Sequence, residues 1–464
     1  MKPPRKIAHP ILGLLVVLTG SVSLNGLAFD SVALAQSSQS AQIWIFTGNL
    51  NTNRYGHTAT LLPNGKVLVV GGGGFPCSGN FCYSTVNSSA ELYDPATGRW
   101  TYTSSLSRRA LHSATLLQNG LVLVVGGDNW GFDIGRFEYI NTAELYNPAT
   151  EKRRPTVSPN TIRGSNKATL LPNGKVLVVG SHDLDSRPVV YSAELYDAAT
   201  ETWSSASAPS ILGSLTVLPS GRVLIVSGNS AELYDSVSDT WTAAAHTNII
   251  RAAGAVTLLQ NGKLLVTGGD ASGTSAAELY DPETGDWSIT GSPKEIHNTA
   301  TLLSDGRVLV AGGADSSFTS VRSAELYDAA TGSWSDASNL ITARQSHTAT
   351  LLPDGRVLVA GGVDGDFDIG TDFLATAEIY GAVAIPRIIS ASVSGKNLVV
   401  LGESFDPGAL ILLNGEEQRT VSDEQNPKTS LIAKKAGKKV RPGDKLQVKN
   451  PNGSLSQEFT YTGS

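Results

Sequence analysis

The sequence predicts an all-β protein: a seven-bladed β-propeller followed by a small β-sandwich. Three observations indicate the propeller. A motif that reads RQSHTATLLPDGRVLVAGG at 344–362 recurs seven times, a motif close to AELYD follows each copy, and most copies of AELYD are followed by a Trp at constant spacing. The Glu of the second motif moves from Glu91 to Glu378 in six steps, (378 − 91)/6 or about 48 residues each, and repeats of about 20–50 residues are typical of propellers, solenoids and arrays.

Each repeat contains four short strands. HTATLL and RVLVAGG are rich in Val, Leu and Thr, and the P-N-G, Q-N-G or P-D-G between them predicts a hairpin turn, because Asn, Asp and Gly tolerate positive φ. AELYD forms a third strand, and DPATG turns the chain into a fourth. The fourth strands carry a Trp seven residues after the motif Tyr, at Trp100, Trp203, Trp241, Trp287 and Trp334. Four antiparallel strands per period make one propeller blade.

The double Gly after the second strand, the Tyr of the third strand and the Trp of the fourth resemble the kelch repeat. The resemblance covers residues 42–384, recurs seven times, and is to kelch-repeat proteins of the bacterial secreted type. It implies a kelch propeller. It does not imply one activity, since kelch propellers serve as enzymes, adaptors and binding modules.

The N-terminal segment is predicted to close the propeller. The last blade lacks its own fourth strand, because Arg387 occupies the position seven residues after its Tyr. Trp44 stands in the same local context as Trp334, so residues 42–50 are expected to complete the seventh blade and to remove exposed sheet edges. Blade two has Arg153 at the Trp position, and we expect its outer strand to be frayed or covered.

The first 35 residues predict export. A basic start, an apolar run at 11–18 and the small residues Ala33 and Ala35 before Gln36 are typical of a signal peptide, with an uncleaved membrane anchor as the alternative. No membrane span is expected after cleavage, and the protein is expected to be secreted, periplasmic or at the cell surface. The net charge of −6 gives no support to nucleic-acid binding.

Two cysteines, Cys77 and Cys82, lie close together in one loop. A metal site would need further Cys or His nearby, and none is adjacent. In an oxidising compartment a disulfide between the two is the stronger prediction.

A Glu that occurs in every blade is expected to serve the scaffold. A buried carboxylate must accept hydrogen bonds, from the backbone or from a neighbouring blade. Acid chemistry and a ring of cation ligands are the alternatives. The seven residues are Glu91, Glu144, Glu194, Glu232, Glu278, Glu325 and Glu378.

Function is expected where the repeats differ, in the connections between the second and third strands. These hold 17 residues in blade one, 15 in blade two and 14 in blade seven, but 2 in blade four. The connections and the segments that cross between blades share one face, called here the long-loop face. Its aromatic residues suit sugar stacking or a protein hot spot, or else they pack the loops onto the propeller. They are Trp130, Phe132, Phe137 and Tyr139 in blade two, Phe81 and Tyr83 (beside Phe75) in blade one, and Phe367 and Phe373 in blade seven.

Three arginines, Arg54, Arg109 and Arg344, precede the first strands of blades one, two and seven, each with a His three residues later. At the propeller mouth they could clamp a carboxylate or sulfate. Because Arg-x-x-His recurs in three blades, a scaffold role is the alternative.

The segment DGDFDIGTD at 364–372 alternates Asp364, Asp366 and Asp368. These are a weak calcium candidate, since an EF-hand loop needs Gly where Ile369 stands; the alternative is that they are solvated turn residues. No cofactor is predicted.

Residues 386–464 break the repeat and read as short strands with Gly and Asn turns, which suits a small β-sandwich. The leading Pro-x-Ile, the G-x-x-L-x-x-x-G-x-x-F pattern at 395–405 and the closing VKNPNG resemble the IPT/TIG immunoglobulin-like family. The resemblance implies an accessory or interaction module. The basic segment 433–445 is expected to be a solvated edge, with an acidic polymer or membrane surface as the alternative partner.

Binding is the function that we predict: a secreted recognition protein whose long-loop face binds a glycan or an extracellular protein. The alternative is a carbohydrate-active enzyme of kelch fold, such as a mutarotase or epimerase, although no general acid and base can be singled out. The architecture also resembles the galactose-oxidase group of copper enzymes. That group takes one ligand His from the C-terminal domain, and residues 386–464 contain no His.

Overall fold

A computed structural model describes residues 40–463, apart from 75–76, 79–80, 83–84, 130–137, 184–188, 252, 270–274, 298, 367–369, 407, 424 and 452–453. Within these residues nearly all regular structure is β-strand, and the one helical element is the short 3-10 turn Ala436–Lys438. None of the helical structure in the described chain is long and apolar enough to cross a bilayer.

Between residues 40 and 384 the strands form seven four-stranded antiparallel sheets, numbered 1 to 7 by the order of their first strands. The first strand of each sheet contacts the first strand of the next, and that of sheet 7 contacts that of sheet 1. This arrangement fits a β-propeller. From first to fourth, the strands are Thr58–Leu61, Val67–Val70, Ala90–Asp94 and Arg99–Thr103 in sheet 1; Ser113–Leu116, Val122–Val125, Ala143–Asn147 and Lys152–Thr156 in sheet 2; Gly164–Leu170, Lys175–Asp183, Val190–Asp197 and Thr202–Ala206 in sheet 3; Ser214–Val217, Val223–Ser227, Ser230–Asp235 and Thr240–Ala243 in sheet 4; Ala253–Leu258, Leu264–Gly269, Ser275–Tyr280 and Trp287–Ile289 in sheet 5; Ala300–Leu302, Val308–Ala311, Ala324–Asp328 and Ser333–Asp336 in sheet 6; and Thr348–Leu351, Val357–Ala360, Ala377–Ala384 and Ser40–Phe46 in sheet 7.

The second strands form the centre of the core. Val67–Val70 is buried along its whole length, because neighbouring sheets cover both of its faces, and such a strand reads as a continuous apolar run. Apolar clusters join every sheet to its neighbour. The cluster between sheets 7 and 1 includes Leu50, Val67 and Leu358, so the stack of sheets returns to its start.

The N-terminal strand supplies the fourth strand of sheet 7, which confirms the predicted closure. Ser40–Phe46 pairs antiparallel with Ala377–Ala384 and places Trp44 opposite Tyr380, with the ring centroids 5.2 Å apart. The chain then continues to sheet 1, where the Thr47 hydroxyl lies 2.7 Å from the Tyr93 hydroxyl. This segment therefore links the last sheet to the first.

The repeated Trp packs on the repeated Tyr across the third and fourth strands. The ring centroids are 4.9–5.0 Å apart in sheets 1, 3, 4, 5 and 6. In sheet 2, Arg153 lies opposite Tyr146 and donates to Glu144 at 2.6 Å. The outer strand Lys152–Thr156 is paired along its whole length and mostly exposed, so the expectation that it is frayed or covered was wrong: an ion pair takes the place of the ring contact.

Residues 387–460 form two further four-stranded antiparallel sheets that share one core. Leu398 and Leu431 contribute from the first sheet, Ile411 and Val448 from the second, and all four are fully buried. The strands are Arg387–Ser394, Asn397–Glu403, Ser430–Ala433 and Thr420–Ser422 in the first sheet, and Glu416–Glu417, Leu410–Leu413, Lys445–Lys449 and Phe459–Thr460 in the second.

Deleting residues 42–50 is expected to unfold the seven-sheet region cooperatively and to lower its melting temperature by about 10 °C or more, because the edge of Ala377–Ala384 and the clusters around Trp44 and Leu50 lose their cover. Thermal melting by circular dichroism measures this. Truncation before residue 40, which keeps the strand, is the control and should melt as the full chain does. Equal melting temperatures for the deletion and the control would contradict the closure.

Candidate functional site

The repeated Glu anchors the segment that crosses into the first strand of its own sheet. In sheet 1, Glu91 accepts hydrogen bonds from the backbone N–H of Asn51 at 2.7 Å, from the Asn51 side chain at 2.8 Å and from the Thr52 N–H at 3.1 Å. Arg54 donates to the same carboxylate at 2.6 Å. Glu91 is fully buried, and its bonds confirm the predicted scaffold role, since each carboxylate oxygen is satisfied.

The three candidate arginines lie inside this scaffold. Arg54, Arg109 and Arg344 have no exposed side-chain surface, and each forms an ion pair with the Glu of its sheet. The Arg54 guanidinium also donates to the carbonyl oxygens of Gly71, at 2.7 Å, and of Ser89. A ligand at the surface cannot reach these groups, so their expected role as an anion clamp is corrected to a role in folding.

Three histidines link the first strands of neighbouring sheets. The Nε2 atom of His57 lies 3.0 Å from the Thr348 hydroxyl, and that of His112 lies 2.9 Å from the Thr58 hydroxyl. His347 makes the same contact to Thr299 at 3.3 Å. Burial lowers the pKa of His57 to about 3 and the pKa values of the other two well below their usual range, so all three are neutral at pH 7.

The longest connections on the long-loop face contain short two-stranded antiparallel sheets, called here ribbons. Residues of the crossing segments form isolated antiparallel β-bridges with residues at the start of these connections. The pairs are Tyr55 with Gly73, Ala110 with Asp128, and Gln345 with Val363. Connections and crossings therefore share one face, as predicted. In sheet 4, by contrast, Ser227 pairs directly with Ser230 across a two-residue turn. The ribbons are Gly73–Gly74 with Thr85–Val86 and Cys77–Ser78 with Phe81–Cys82 in sheet 1, Asp128–Asn129 with Glu138–Tyr139 in sheet 2, and Val363–Asp366 with Gly370–Phe373 in sheet 7.

A cavity of about 230 Å³ lies where the repeat loses its histidines. Counting back eight residues from the turn glycine, sheets 4 and 5 have Gly213 and Gly254 where sheet 1 has His57. Both glycines line the cavity, together with the side chains of Lys167 and Arg251. The cavity is called here the sheet 3–5 cavity; its other lining residues are Leu212, Ser214, Val226, Ser227, Gly228, Val256 and Val266.

This cavity was not predicted from the sequence, because the predicted binding site rested on the lengths of the connections. The sequence nevertheless contains a pattern that indicates the cavity. The repeats of sheets 4 and 5 have Gly in place of His, and the repeat of sheet 3 has Lys167 where that of sheet 1 has Thr58. Lys167 is exposed to solvent, but the protein around its amine desolvates that group in part and lowers its pKa.

The kelch motif matches residues 54–107, the whole of sheet 1 with its crossing segment. Residues 54–107 therefore contain a kelch repeat. An F-box/kelch-repeat protein of Arabidopsis thaliana is 31% identical over 150 residues, which are 32% of this chain and 37% of that protein. This chain therefore matches little more than a third of the length of that curated relative.

The fold of this chain also resembles a solved structure, that of a fungal alcohol oxidase of the AA5 family in complex with copper. The two share 17% sequence identity at a TM-score of 0.59, over 91% of this chain and 100% of the other. At this identity the likeness shows the fold alone.

Two of the aromatic residues predicted for binding pack on a crossing segment or at the start of the first strand that follows it. The Phe373 ring lies 5.0 Å from the Tyr55 ring, and Tyr139 lies against Gly164, where any Cβ would come within 2.0 Å of its ring. Both are half-buried. Phe81 lies on a ribbon strand, but its side chain, like Tyr83, Trp130, Phe132, Phe137 and Phe367, is outside the described residues.

The two cysteines, and Asp364 and Asp366 of the acidic segment, lie on ribbons. Cys77 and Cys82 are directly opposite each other in register, and their side chains are outside the described residues. Asp364 pairs with Asp372 across the sheet 7 ribbon and Asp366 ends the same strand, whereas Asp368 is outside the described residues. Among the side chains that are described, no three His, Cys, Asp or Glu are grouped to hold a metal ion.

Stability is expected to fall as the pH drops below 6.5, because the unfolded chain then protonates its histidines while His57 stays neutral in the folded state down to a pH of about 3. One such histidine contributes about 2 kcal/mol to the loss between pH 7 and pH 5. Urea unfolding at the two pH values measures this loss. His57→Asn, which introduces the residue that sheet 3 has as Asn166, should reduce the loss by about that amount.

His246→Asn is the control, since His246 is exposed between sheets 4 and 5. It should leave the loss of stability unchanged. An equal loss in the His57→Asn variant and in the unmodified protein would contradict a neutral, buried His57.

Proposed function

We propose that this kelch-repeat protein is a secreted recognition protein that binds a glycan or an extracellular protein on its long-loop face. One observation carries the proposal: the ribbons and longest connections lie on sheets 7, 1 and 2, which are neighbours, while sheet 4 has a two-residue turn. Kelch repeats are typical of protein-binding propellers. A face raised over one arc offers a concave, specific surface of the kind that binding sites use.

The same proposal includes the finer architecture. The seven sheets are seven blades of one closed propeller, residues 386–464 are an immunoglobulin-like domain of IPT/TIG type, and residues 1–35 are a signal peptide. Cys77 and Cys82 form a disulfide that ties the tip of the sheet 1 excursion; their opposed register supports the pairing. Export is supported by the sequence of residues 1–35, which lie outside the described structure.

The other predicted aromatic residues, which belong by sequence to the longest connections, remain candidates for ligand contact. Tyr139 and Phe373 pack at the base of the ribbons and are proposed to hold them in place. Trp130 lies in the sheet 2 excursion and does not occupy the Trp position of the repeat, so packing in a blade does not account for it. We therefore propose Trp130 as the main contact, since Trp is enriched among residues that dominate binding energy.

Trp130→Ala is expected to weaken binding by about tenfold or more while leaving the melting temperature within about 2 °C. Binding of the purified protein to an oligosaccharide array measures this, followed by titration of each bound sugar. Val237→Ala is the control, because Val237 is 96% exposed in the turn between the third and fourth strands of sheet 4, on the opposite face. Unchanged affinity in Trp130→Ala would reject the long-loop face as the binding surface.

The same array distinguishes binding from catalysis. Bound sugars that are recovered unchanged support recognition. Mutarotation, epimerisation or oxidation of a sugar by the purified protein would replace the proposal with the carbohydrate-active enzyme.

A further inference from the structure

We propose that the sheet 3–5 cavity is a binding site for a small organic carboxylate. The cavity lies on the arc opposite the longest connections, so the proposal does not depend on the aromatic residues of sheets 7, 1 and 2. Two cationic side chains, Lys167 and Arg251, line it, and its described lining contains no acidic residue.

The cavity exists because the repeat changes at two neighbouring sheets. At the position of His57, whose ring fills the space between sheets 7 and 1, sheets 4 and 5 have Gly213 and Gly254. A Cβ at Gly213 would lie 1.8 Å from the Val226 carbonyl oxygen, and one at Gly254 would lie 2.6 Å from the Thr267 carbonyl oxygen. The main chain therefore accepts only glycine here, and the space beside it is built into the fold.

Arg251 has hydrogen-bond donors without a partner among the described residues, unlike Arg54, its counterpart in sheet 1. One nitrogen of the guanidinium, Nη1, pairs with Glu278, but Nε and Nη2 are buried and have no hydrogen-bond partner among the described residues. In sheet 1 the Nη2 of Arg54 donates to the Ser89 hydroxyl at 3.0 Å. The residue before the AEL motif of sheet 5 is Ala276, which has no hydroxyl. Arg251 is 7% exposed, and unpaired donors at this depth cost free energy that a carboxylate would recover.

Lys167 supplies the second cation. It replaces the small hydroxyl residue that the repeat has at Thr58, Thr299 and Thr348, and no acidic side chain in the described part of the chain pairs with it. Its side chain is exposed at the cavity, so its ammonium group is available to an anion. An anion in the cavity would provide the missing charge.

The size and walls of the cavity select the ligand. A volume of about 230 Å³ corresponds to about eight water molecules at about 30 Å³ each, which suits a molecule of roughly eight non-hydrogen atoms. Val226, Val256 and Val266 provide apolar walls, and Ser214 and Ser227 provide hydroxyls. A short aliphatic acid matches both features. The sheet 4 connection, at only two residues, leaves the cavity uncovered by a long excursion.

Isothermal titration with sodium succinate tests the site in the full-length protein, against sodium chloride at equal ionic strength. The unmodified protein is expected to bind succinate and to give no comparable signal with chloride. Lys167→Thr should weaken succinate binding by about tenfold or more, and Lys167→Arg, which keeps the charge, should stay within about threefold of the unmodified protein. Folding of Lys167→Thr is expected to be intact, because Thr is the residue of the equivalent position in three other sheets.

Lys396→Thr is the matched control, since it removes the same charge from an exposed turn of residues 387–460. It should bind succinate as the unmodified protein does, and so should Trp130→Ala, which separates this site from the one proposed on sheets 7, 1 and 2. Three results would overturn the proposal: no succinate binding by the unmodified protein, equal binding by Lys167→Thr, or an equal response to chloride.

Discussion

The buried carboxylate on each third strand is the interaction on which the rest of the structure depends. A four-stranded sheet with an apolar strand at its centre cannot cover its own faces, so each sheet needs its neighbours in place. The carboxylate holds the crossing segment that leads into the first strand of the same sheet, as Glu91 does with Asn51, Thr52 and Arg54. Because the crossing segment comes from the preceding sheet, this one side chain fixes the position of two sheets.

The anchor tolerates changes in its cationic partner. In sheet 6 the His297 ring contacts the Gly312 carbonyl oxygen at 2.5 Å and Glu325 at 3.1 Å, the same kinds of group that Arg54 bonds in sheet 1. In sheet 4 the crossing segment has no arginine, and Ser210 bonds Glu232 instead. Removing the carboxylate would be more serious, because in sheet 1 two backbone N–H groups and the Arg54 guanidinium would lose their acceptor at once.

The seven sheets therefore share the carboxylate anchor but differ in the residues that lie between their first strands. The neutral histidines join sheets 6, 7, 1 and 2, and the ribbons of the long-loop face stand on three of these four. The arc around sheet 4 has glycines in place of histidines, the shortest connection and a cavity with two cations. The arc of sheets 7, 1 and 2 thus carries the longest connections, and the arc around sheet 4 carries a cavity lined by cations. One proposed site lies on each arc.

The sequence by itself determined the strands, the turns, the constant spacing of the Trp and the N-terminal fourth strand of sheet 7, because apolar runs, turn residues and repeat spacing are local features that recur from period to period. It did not determine the fate of Arg54, Arg109 and Arg344. A guanidinium that precedes a strand looks the same whether it faces solvent or a carboxylate about 37 residues further on, as Arg54 faces Glu91. Only the packed sheets decided that these three arginines are buried, and that Arg251 and Lys167 line a cavity, since burial and pairing depend on residues that are distant in the chain.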